Sequence, residues 1–337
     1  MTNFFKILFL CSLILGSLIS ISAQSWFSMW VGLEINLLSI IPLMSHSNTP
    51  SSAEASIKYL LIQALASLIL LFSIILMMIK NNFVIPKASI MIILLINSAL
   101  LIKLGTAPFH LWFPEVLEGL NWKNCLLMLT WQKIAPMMLI MNNQPSPIFF
   151  ILIIILSLII STILGFNQTS LRKIMAYSSI NHMSWMLASI MISQSMWLTY
   201  FLIYSILNII IIYSFSHSYS YNMKQLINTS LNNNLIKISF MINFLSMAGL
   251  PPFIGFLPKW LLINLLSIMK LNSLALILIL FTLIFMFIYI RIMIYSLIMK
   301  LTKSKFMNNP LNFSLNYTLN YLSIPSILFS TLTFNSF

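Results

Sequence analysis

Acidic and charged side chains are scarce in this chain of 337 residues. It contains no aspartate, its four acidic residues are all glutamate, and charged residues make up 6% of the sequence. So few carboxylates exclude a metal site built from an acidic cluster, and no set of carboxylates or histidines has the spacing of metal ligands. The charge content is also far below that of an ordinary soluble domain.

Cysteine and glycine are rare as well, with two and seven residues. Cys11 and Cys125 both lie in apolar runs, which predicts small buried side chains rather than a disulfide, metal or redox pair. The glycines form neither a phosphate-binding loop nor a dinucleotide-binding pattern. Serine, histidine and acid do not combine into a hydrolase triad. We therefore expect no redox chemistry and no cofactor in this chain.

Basic residues outnumber acidic ones and give a net charge of +13. They stand singly near the ends of apolar runs, a pattern that favours topology determinants over a nucleic-acid-binding stripe. The sequence therefore predicts no nucleic-acid partner. The basic loop residues indicate contacts with membrane lipids, cardiolipin among them.

Long hydrophobic runs dominate what remains, because 60% of the residues are hydrophobic. This composition predicts an all-α polytopic membrane protein, since a hydrocarbon core of about 30 Å needs about 20 helical residues. We predict eleven transmembrane helices, near 4–22, 26–45, 56–79, 88–118, 121–142, 148–165, 171–193, 195–216, 235–267, 271–299 and 318–335.

The first span resembles a secretory signal, but Ile21 is large where a cleavage site needs a small residue, which favours a retained helix. Ten basic residues fall on the N-terminal side of the predicted spans and three on the other. The N-terminus is therefore expected on the positive side, which is the matrix in a mitochondrion and the cytoplasm in a bacterium.

Two of the longer predicted spans share an interruption. Residues 105–114 and 249–258 both read G-x2-P-F-x4-P, at an offset of 144 residues. Such breaks are tolerated in a membrane where the freed backbone groups are buried in protein or line a wet cavity. The spans are five apart and so cross in opposite directions, which predicts inverted five-helix repeats with two broken helices. A chance match is the alternative. We place the repeats at 1–142 and 148–300 of one membrane domain, with a loop and C-terminal helix at 301–337.

Charges inside apolar runs are the main functional signal, because a charge at mid-membrane costs about 2.5–3.5 kcal/mol on insertion scales. Their default interpretation is an ion or proton path. Lys103 stands just before the first interruption, where a broken helix admits water. Glu34 lies in the second span and pairs with Lys103 if the two spans touch. The alternative role of such a pair is to fix helix packing.

Lys133 lies twelve residues into its span and three before Pro136. No acidic residue lies within a helical turn or two of it in the sequence. Apolar surroundings disfavour charged lysine, so Lys133 can gain and lose a proton near neutral pH, as a relay requires. Snorkelling to the interface is the alternative, which its mid-span position disfavours.

Lys259 and His182 are the candidates in the second half of the chain. Lys259 directly follows the second interruption, and the repeat aligns it with Glu115; the alternative is a lysine that snorkels near a kink. His182 stands deep in the seventh span among Ser178, Ser179, Asn181 and Ser184. Histidine shuttles protons near neutral pH, but a hydrogen-bonded core histidine explains the same position equally well.

Several segments together resemble one family over roughly residues 1–300. The segments are GLEINLLS at 32–39, EASIKY at 54–59, KLGTAPFHLWFP at 103–114, TWQKIAP at 130–136, NQTSLRKIMAYSS at 167–179 and GLPPFIGFLPKW at 249–260. Their combination is similar to the antiporter-like, proton-pumping membrane subunits of mitochondrial NADH–ubiquinone oxidoreductase, respiratory complex I, in the shortened form of insect-like animals.

The resemblance implies a role for each candidate. Glu34 and Lys103 fall on the coupled acid–lysine pair, Lys133 on the central lysine, and Lys259 on the lysine toward the neighbouring subunit. His182 falls on the histidine between those lysines. It also implies partner subunits in the membrane arm of the complex and a location in the mitochondrial inner membrane. NADH, flavin, iron–sulfur clusters and ubiquinone would be used by other subunits.

Two rival functions remain open at this point. The same motifs occur in stand-alone cation/proton antiporters, which would exchange Na⁺ or K⁺ for H⁺ without a redox partner. A structural scaffold whose charges only fix helix packing is the second rival.

Overall fold

The computed structural model describes residues 2–45, 49–80, 90–143, 146–226, 234–251 and 253–298. Within these ranges the regular elements are helices, and Ser170 and Asn222 form an isolated antiparallel bridge. The predicted all-α class is confirmed. The chain divides into two compact units, residues 1–150 and 151–337, and each is described by itself.

The first unit is built from long apolar helices and three short ones. Pro50 is the first residue of α3 and Pro147 the first of α8. Proline is tolerated there because the N–H of the first helical residue makes no hydrogen bond within the helix. The helices are α1 Thr2–Ser22, α2 Trp26–Ser45, α3 Pro50–Lys80, α4 Ile90–Leu104, α5 Trp112–Gly119, α6 Trp122–Leu129 and α7 Trp131–Asn142; α8, Pro147–Phe166, spans the boundary between the units.

The second unit continues with helices of 13 to 27 residues. Ser193 separates the first two of them. Its backbone is extended, with φ −161°, and its hydroxyl accepts a hydrogen bond from the N–H of Met196. The helices are α9 Leu171–Ile192, α10 Gln194–His217, α11 Asn234–Ala248, α12 Phe256–Ile268 and α13 Asn272–Ile298.

Seven stretches of the described residues are long and apolar enough to cross a membrane. They support a polytopic membrane protein, while the count of eleven stays a prediction. The predicted span 318–335 lies outside the described residues, as does the whole segment 301–337. The seven stretches are Phe4–Ser22, Trp26–Ser45, Pro50–Ile79, Trp122–Asn142, Pro147–Phe166, Gln194–His217 and Asn272–Ile294.

Polarity is distributed as a membrane protein requires, with apolar side chains on the outside. Leu65, Phe72 and Ile163 are each more than half exposed. Many of the buried positions are instead serines and asparagines, and the buried serine hydroxyls mostly donate to carbonyls three residues back, as in Ser178 to Met175 at 2.7 Å. Small polar residues suit helix contacts in a bilayer because they pack closely and carry their own hydrogen bonds.

Both predicted interruptions are real breaks, and they are alike in backbone. Residues 105–111 separate α4 from α5, and residues 249–255, of which Pro252 lies outside the described residues, separate α11 from α12. Gly105 has φ +71° and Gly249 has φ +81°, a left-handed conformation that favours glycine. In each break the residue after the glycine donates to the carbonyl five positions back, at 3.3 and 3.4 Å. This is the hydrogen bond of a glycine C-cap.

Candidate functional site

Lys103 lies in the last turn of α4, immediately before the first break. Its side chain is buried and lines a small polar cavity in the first unit. α2, α3, α4 and α7 contribute to the wall, so four segments distant in sequence meet at this lysine. The polar residues of the wall are Asn36, Tyr59, Gln63, Lys103 and Gln132.

Hydrogen bonds join three of these polar groups into a chain. The Tyr59 hydroxyl donates to Gln132 Oε1 at 3.4 Å, and Gln132 Nε2 donates to Asn36 Oδ1 at 2.9 Å. Gln63 Nε2 donates to the backbone carbonyl of Lys103 at 3.3 Å, which satisfies a carbonyl near the open end of α4. Polar neighbours and empty space are the conditions under which a membrane protein tolerates a buried charge.

Glu34 lies on α2, two residues before Asn36 of the same cavity. It attracts Lys103 coulombically. Among the described residues, however, the Glu34 carboxylate and the Lys103 ammonium do not approach within the 4.0 Å of a direct ion pair. Glu34 and Lys103 therefore interact over a distance in this conformation, and their action as a coupled pair stays a proposal.

Lys133 is the most deeply buried of the three predicted lysines, with 2% of its surface exposed against 8% for Lys103 and Lys259. Its Nζ lies 5.4 Å from the centroid of the Phe113 ring. That distance allows a cation–π attraction, which partly replaces the hydration that a buried ammonium loses. The aromatic ring belongs to α5, just beyond the first break, so the break also shapes the surroundings of Lys133.

The helix around Lys133 is irregular on both sides. Residues 121–142 were predicted as one span, but the structure divides them at Thr130, whose φ is −115° and ψ −72°. Pro136 lies inside α7 and has no N–H, so the carbonyl of Gln132 loses its helical donor. Lys133 therefore stands between two places where helix hydrogen bonding is interrupted.

Glu115, the position aligned with Lys259, has a different environment. Its carboxylate lies 3.0 Å from Lys58 Nζ, and Glu54 lies 2.9 Å from the same ammonium. All three side chains are substantially exposed, from 41% for Lys58 to 69% for Glu54. This group joins α3 to α5 at the surface and does not belong to the buried cavity.

Lys259, in the second unit, lies on α12 and caps the carboxyl end of α11 across the break. Its Nζ donates to the carbonyl of Ala248, the last residue of α11, at 2.8 Å. The carbonyl end of a helix carries a partial negative charge, so a cation is favoured there. A Cβ added to Gly249 would lie 2.9 Å from this Nζ, so the glycine leaves room for the ammonium.

His182 and Lys259 line one small cavity in the second unit. His182 Nδ1 lies 2.9 Å from the Tyr200 hydroxyl, a hydrogen bond whose direction depends on the tautomer. Ser178, Asn181 and Tyr289 contribute further polar atoms to the lining. The structure thus brings together the two ionisable residues predicted for this half of the chain.

Comparison with known proteins shows the family to which this chain belongs. Residues 23–287 match the family model described as NADH:quinone oxidoreductase/Mrp antiporter, transmembrane. The NADH-ubiquinone oxidoreductase chain 2 of Anopheles gambiae is 50% identical over 264 residues, covering 78% of this chain and 77% of that protein. The chain belongs to the NADH-ubiquinone oxidoreductase chain 2 family. The protein of the same name from Locusta migratoria is 44% identical over 285 residues, covering 83% of this chain and 82% of its own.

Solved structures of other membrane proteins share the fold of this chain. A chain of respiratory complex I from Thermus thermophilus superposes with a TM-score of 0.86 at 21% identity, covering 96% of this chain and 78% of its own. A chain of the Mrp complex from Dietzia gives a TM-score of 0.78 at 15% identity, covering 96% and 75%. At these identities the similarity shows a shared fold.

Sequence reasoning missed several residues that line or adjoin the two cavities. Tyr59, Gln63 and Gln132 line the cavity of the first unit and Tyr289 lines that of the second, although none of them was singled out. Tyr200, which lies within hydrogen-bond distance of His182, was not singled out either. The available signal was a polar side chain within an apolar run, which Gln63 in α3 shows most clearly. Among the described residues, no group of three or more His, Cys, Asp or Glu could hold a metal ion.

Proposed function

We propose that the chain is an antiporter-like membrane-arm subunit of NADH:ubiquinone oxidoreductase and carries protons across the mitochondrial inner membrane. Family membership supports the assignment to that complex. The observation that carries the proton role is the placement of buried lysines beside helix breaks, where polar cavities stabilise a charge that bare hydrocarbon would not.

Each unit supplies protonatable side chains in this proposal. Glu34 and Lys103 form the coupled pair of the first unit, and a change in their interaction alters the proton affinity of Lys133. Lys133 then exchanges protons with Lys259 by way of water and His182. Coulombic coupling is strong in a low-dielectric interior, so one change of charge has a large effect on a neighbouring group.

The proposal includes the architecture that the sequence predicts. It comprises eleven spans, inverted repeats at 1–142 and 148–300, and an N-terminus on the matrix side. The two glycine-capped breaks, with their matching hydrogen bonds, support the repeat. The partners are other membrane-arm subunits and membrane lipids. Redox chemistry, with NADH, flavin, iron–sulfur clusters and ubiquinone, takes place in other subunits.

The test is Lys133→Met in the assembled complex, with Lys123→Met as the matched control. Lys123 lies on α6 and is exposed, whereas Lys133 is buried on α7. We expect Lys133→Met to lower the number of protons translocated per NADH, while NADH oxidation by an artificial acceptor remains at the wild-type rate. Normal proton stoichiometry in the assembled variant would show that Lys133 is no relay.

The family model also covers Mrp antiporters, so a stand-alone cation/proton antiporter is the second candidate. Membranes that contain this chain alone should then exchange Na⁺ or K⁺ for H⁺. Our proposal expects no exchange from the isolated chain and expects it to migrate with NADH dehydrogenase activity on a native gel. A pure scaffold would instead show Lys→Gln changes that reduce assembly and leave pumping per assembled complex unchanged.

A further inference from the structure

Charge is distributed very unequally between the two units. All four acidic residues lie between Glu34 and Glu118, in the first unit, together with seven of the basic residues. The other ten basic residues lie beyond residue 150, where the sequence has no carboxylate side chain. Half-buried cations are stabilised by a nearby negative charge. Within residues 151–337 no aspartate or glutamate side chain is present to supply one.

Half-buried arginines border the connector between α8 and α9. Arg291, near the end of α13, donates from Nη2 to the backbone carbonyl of Gln168 at 3.2 Å. Its Nε is buried and makes no hydrogen bond among the described residues. The Arg172 guanidinium lies 4.7 Å from the centroid of the Tyr221 ring, and the Tyr221 carbonyl accepts a hydrogen bond from the N–H of Leu171. Both arginines are thus held beside the start of α9.

The start of α9 adds to the positive potential. A helix N-terminus carries a partial positive charge and favours anions. Ser170 occupies the N-cap position but makes no side-chain capping hydrogen bond, and its hydroxyl is buried without a partner among the described residues. Arg172 and Lys173 occupy the first turn of the helix, so the helix dipole and these side chains have the same sign.

An exposed apolar strip lies directly next to this basic group. Phe166 of α8 and Phe287 of α13 stack with their ring centroids 5.3 Å apart and an interplanar angle of 9°. Phe287 is 50% exposed and Ile163, one turn before Phe166, is 64% exposed. Arg291 follows Phe287 by four residues and so lies one turn along the same helix face.

We propose that this surface binds one anionic phospholipid, with its phosphate between Arg291 and the start of α9. Arginine presents a planar fork of donors that matches phosphate oxygens. The acyl chains lie along Ile163, Phe166 and Phe287. A cationic group next to an exposed apolar strip fits a ligand with an anionic head and apolar chains. A free phosphate would contact only the cationic group and leave the strip uncovered. An acidic loop of a neighbouring subunit would supply the charge but leave the apolar strip uncovered.

The experiment uses the intact complex in nanodiscs that contain a photoactivatable phosphatidylglycerol with a reactive acyl chain. We expect labelled peptides from α8 and α13 in the wild type, and about tenfold less label in Arg291→Gln, since a hydrogen-bonded charge contributes roughly that factor. Lys270→Gln, which removes an exposed cation two residues beyond the end of α12, should label as the wild type does. A photoactivatable phosphatidylcholine should label weakly in all variants.

Two results would overturn the proposal. Equal labelling of the wild type and Arg291→Gln would mean that the arginine does not hold the lipid. Carbodiimide cross-links from Lys173 to a carboxylate of another subunit, together with weak lipid labelling in the wild type, would mean that protein neutralises the group. A second variant, Arg291→Lys, separates charge from geometry, because lysine keeps the charge without the fork. Labelling of Arg291→Lys between that of the wild type and that of Arg291→Gln would support a phosphate bound by the planar guanidinium.

Discussion

The two helix breaks share a backbone and differ in what surrounds it. Each has a left-handed glycine and the same capping hydrogen bond. In the first unit a glutamine donates to a carbonyl at the end of α4, and the aligned Glu115 lies at the surface. In the second unit the ammonium of Lys259 itself binds the end of α11. The same backbone break is thus capped by an uncharged side chain in the first unit and by an ionisable side chain in the second.

The largest effect that this comparison predicts is at the aligned pair of positions. Lys259→Met removes both the cap and the protonatable group, and we expect proton translocation to fall about tenfold or more, as when a proton-transferring group is lost. Glu115→Gln should leave translocation near the wild-type value because the carboxylate is exposed. Proton uptake per NADH, measured in membrane vesicles, compares the two.

Lys259→Arg is the control for charge alone. Arginine keeps the cation and its hydrogen bond to Ala248 but does not release a proton in proteins. We expect this variant to assemble normally and to translocate as poorly as Lys259→Met. Proton translocation at the wild-type level in Lys259→Arg would mean that Lys259 only caps the end of α11 and transfers no proton.

An intermediate effect is expected from alanine at the two glycines. Gly105→Ala and Gly249→Ala each place a side chain in the left-handed region, at a cost of about 1–2 kcal/mol. Both should lower the amount of assembled complex on a native gel. Gly249→Ala should also lower translocation per assembled complex, because its Cβ would lie 2.9 Å from Lys259 Nζ. At Gly105 the nearest atoms belong to Trp112 and Phe113. Equal translocation by both variants would contradict the distinction.

The smallest effect concerns the hydrogen bond to His182. Tyr200→Phe removes the hydroxyl that lies 2.9 Å from Nδ1, and a bond of this kind contributes about 1 kcal/mol. We expect translocation to fall about fivefold while assembly stays normal. Tyr213→Phe, on the same helix and away from His182, serves as the matched control. An unaltered pH profile of translocation in Tyr200→Phe would mean that Tyr200 does not position the histidine.

Local patterns in the sequence predicted the features that depend on neighbouring residues. The breaks at Gly105 and Gly249 were predicted because glycine and proline act within a few positions of themselves. The placement of Lys259 next to the second break was predicted for the same reason. The interruption at Thr130 was missed, since no glycine or proline marks it and an apolar run continues on both sides.

Contacts between distant segments could not be predicted in this way. The hydrogen bond from Gln132 to Asn36 joins residues 96 positions apart, and that from Gln63 to Lys103 joins residues 40 positions apart. Glu34 and Lys103 were expected to pair if their helices touched, but a direct ion pair depends on rotamers that the sequence does not determine. Tyr200 was likewise indistinguishable from other aromatic residues in apolar helices.

The polarity of α9 has a consequence for the biogenesis of the protein. This helix is buried almost from end to end, and although it is 22 residues long it is not among the stretches apolar enough to span a membrane by composition. Its serines, Asn181 and His182 make partition into lipid as a single helix unfavourable. We therefore expect α9 to leave the insertion machinery together with α10, so that this polar helix enters the bilayer already packed against a more apolar one.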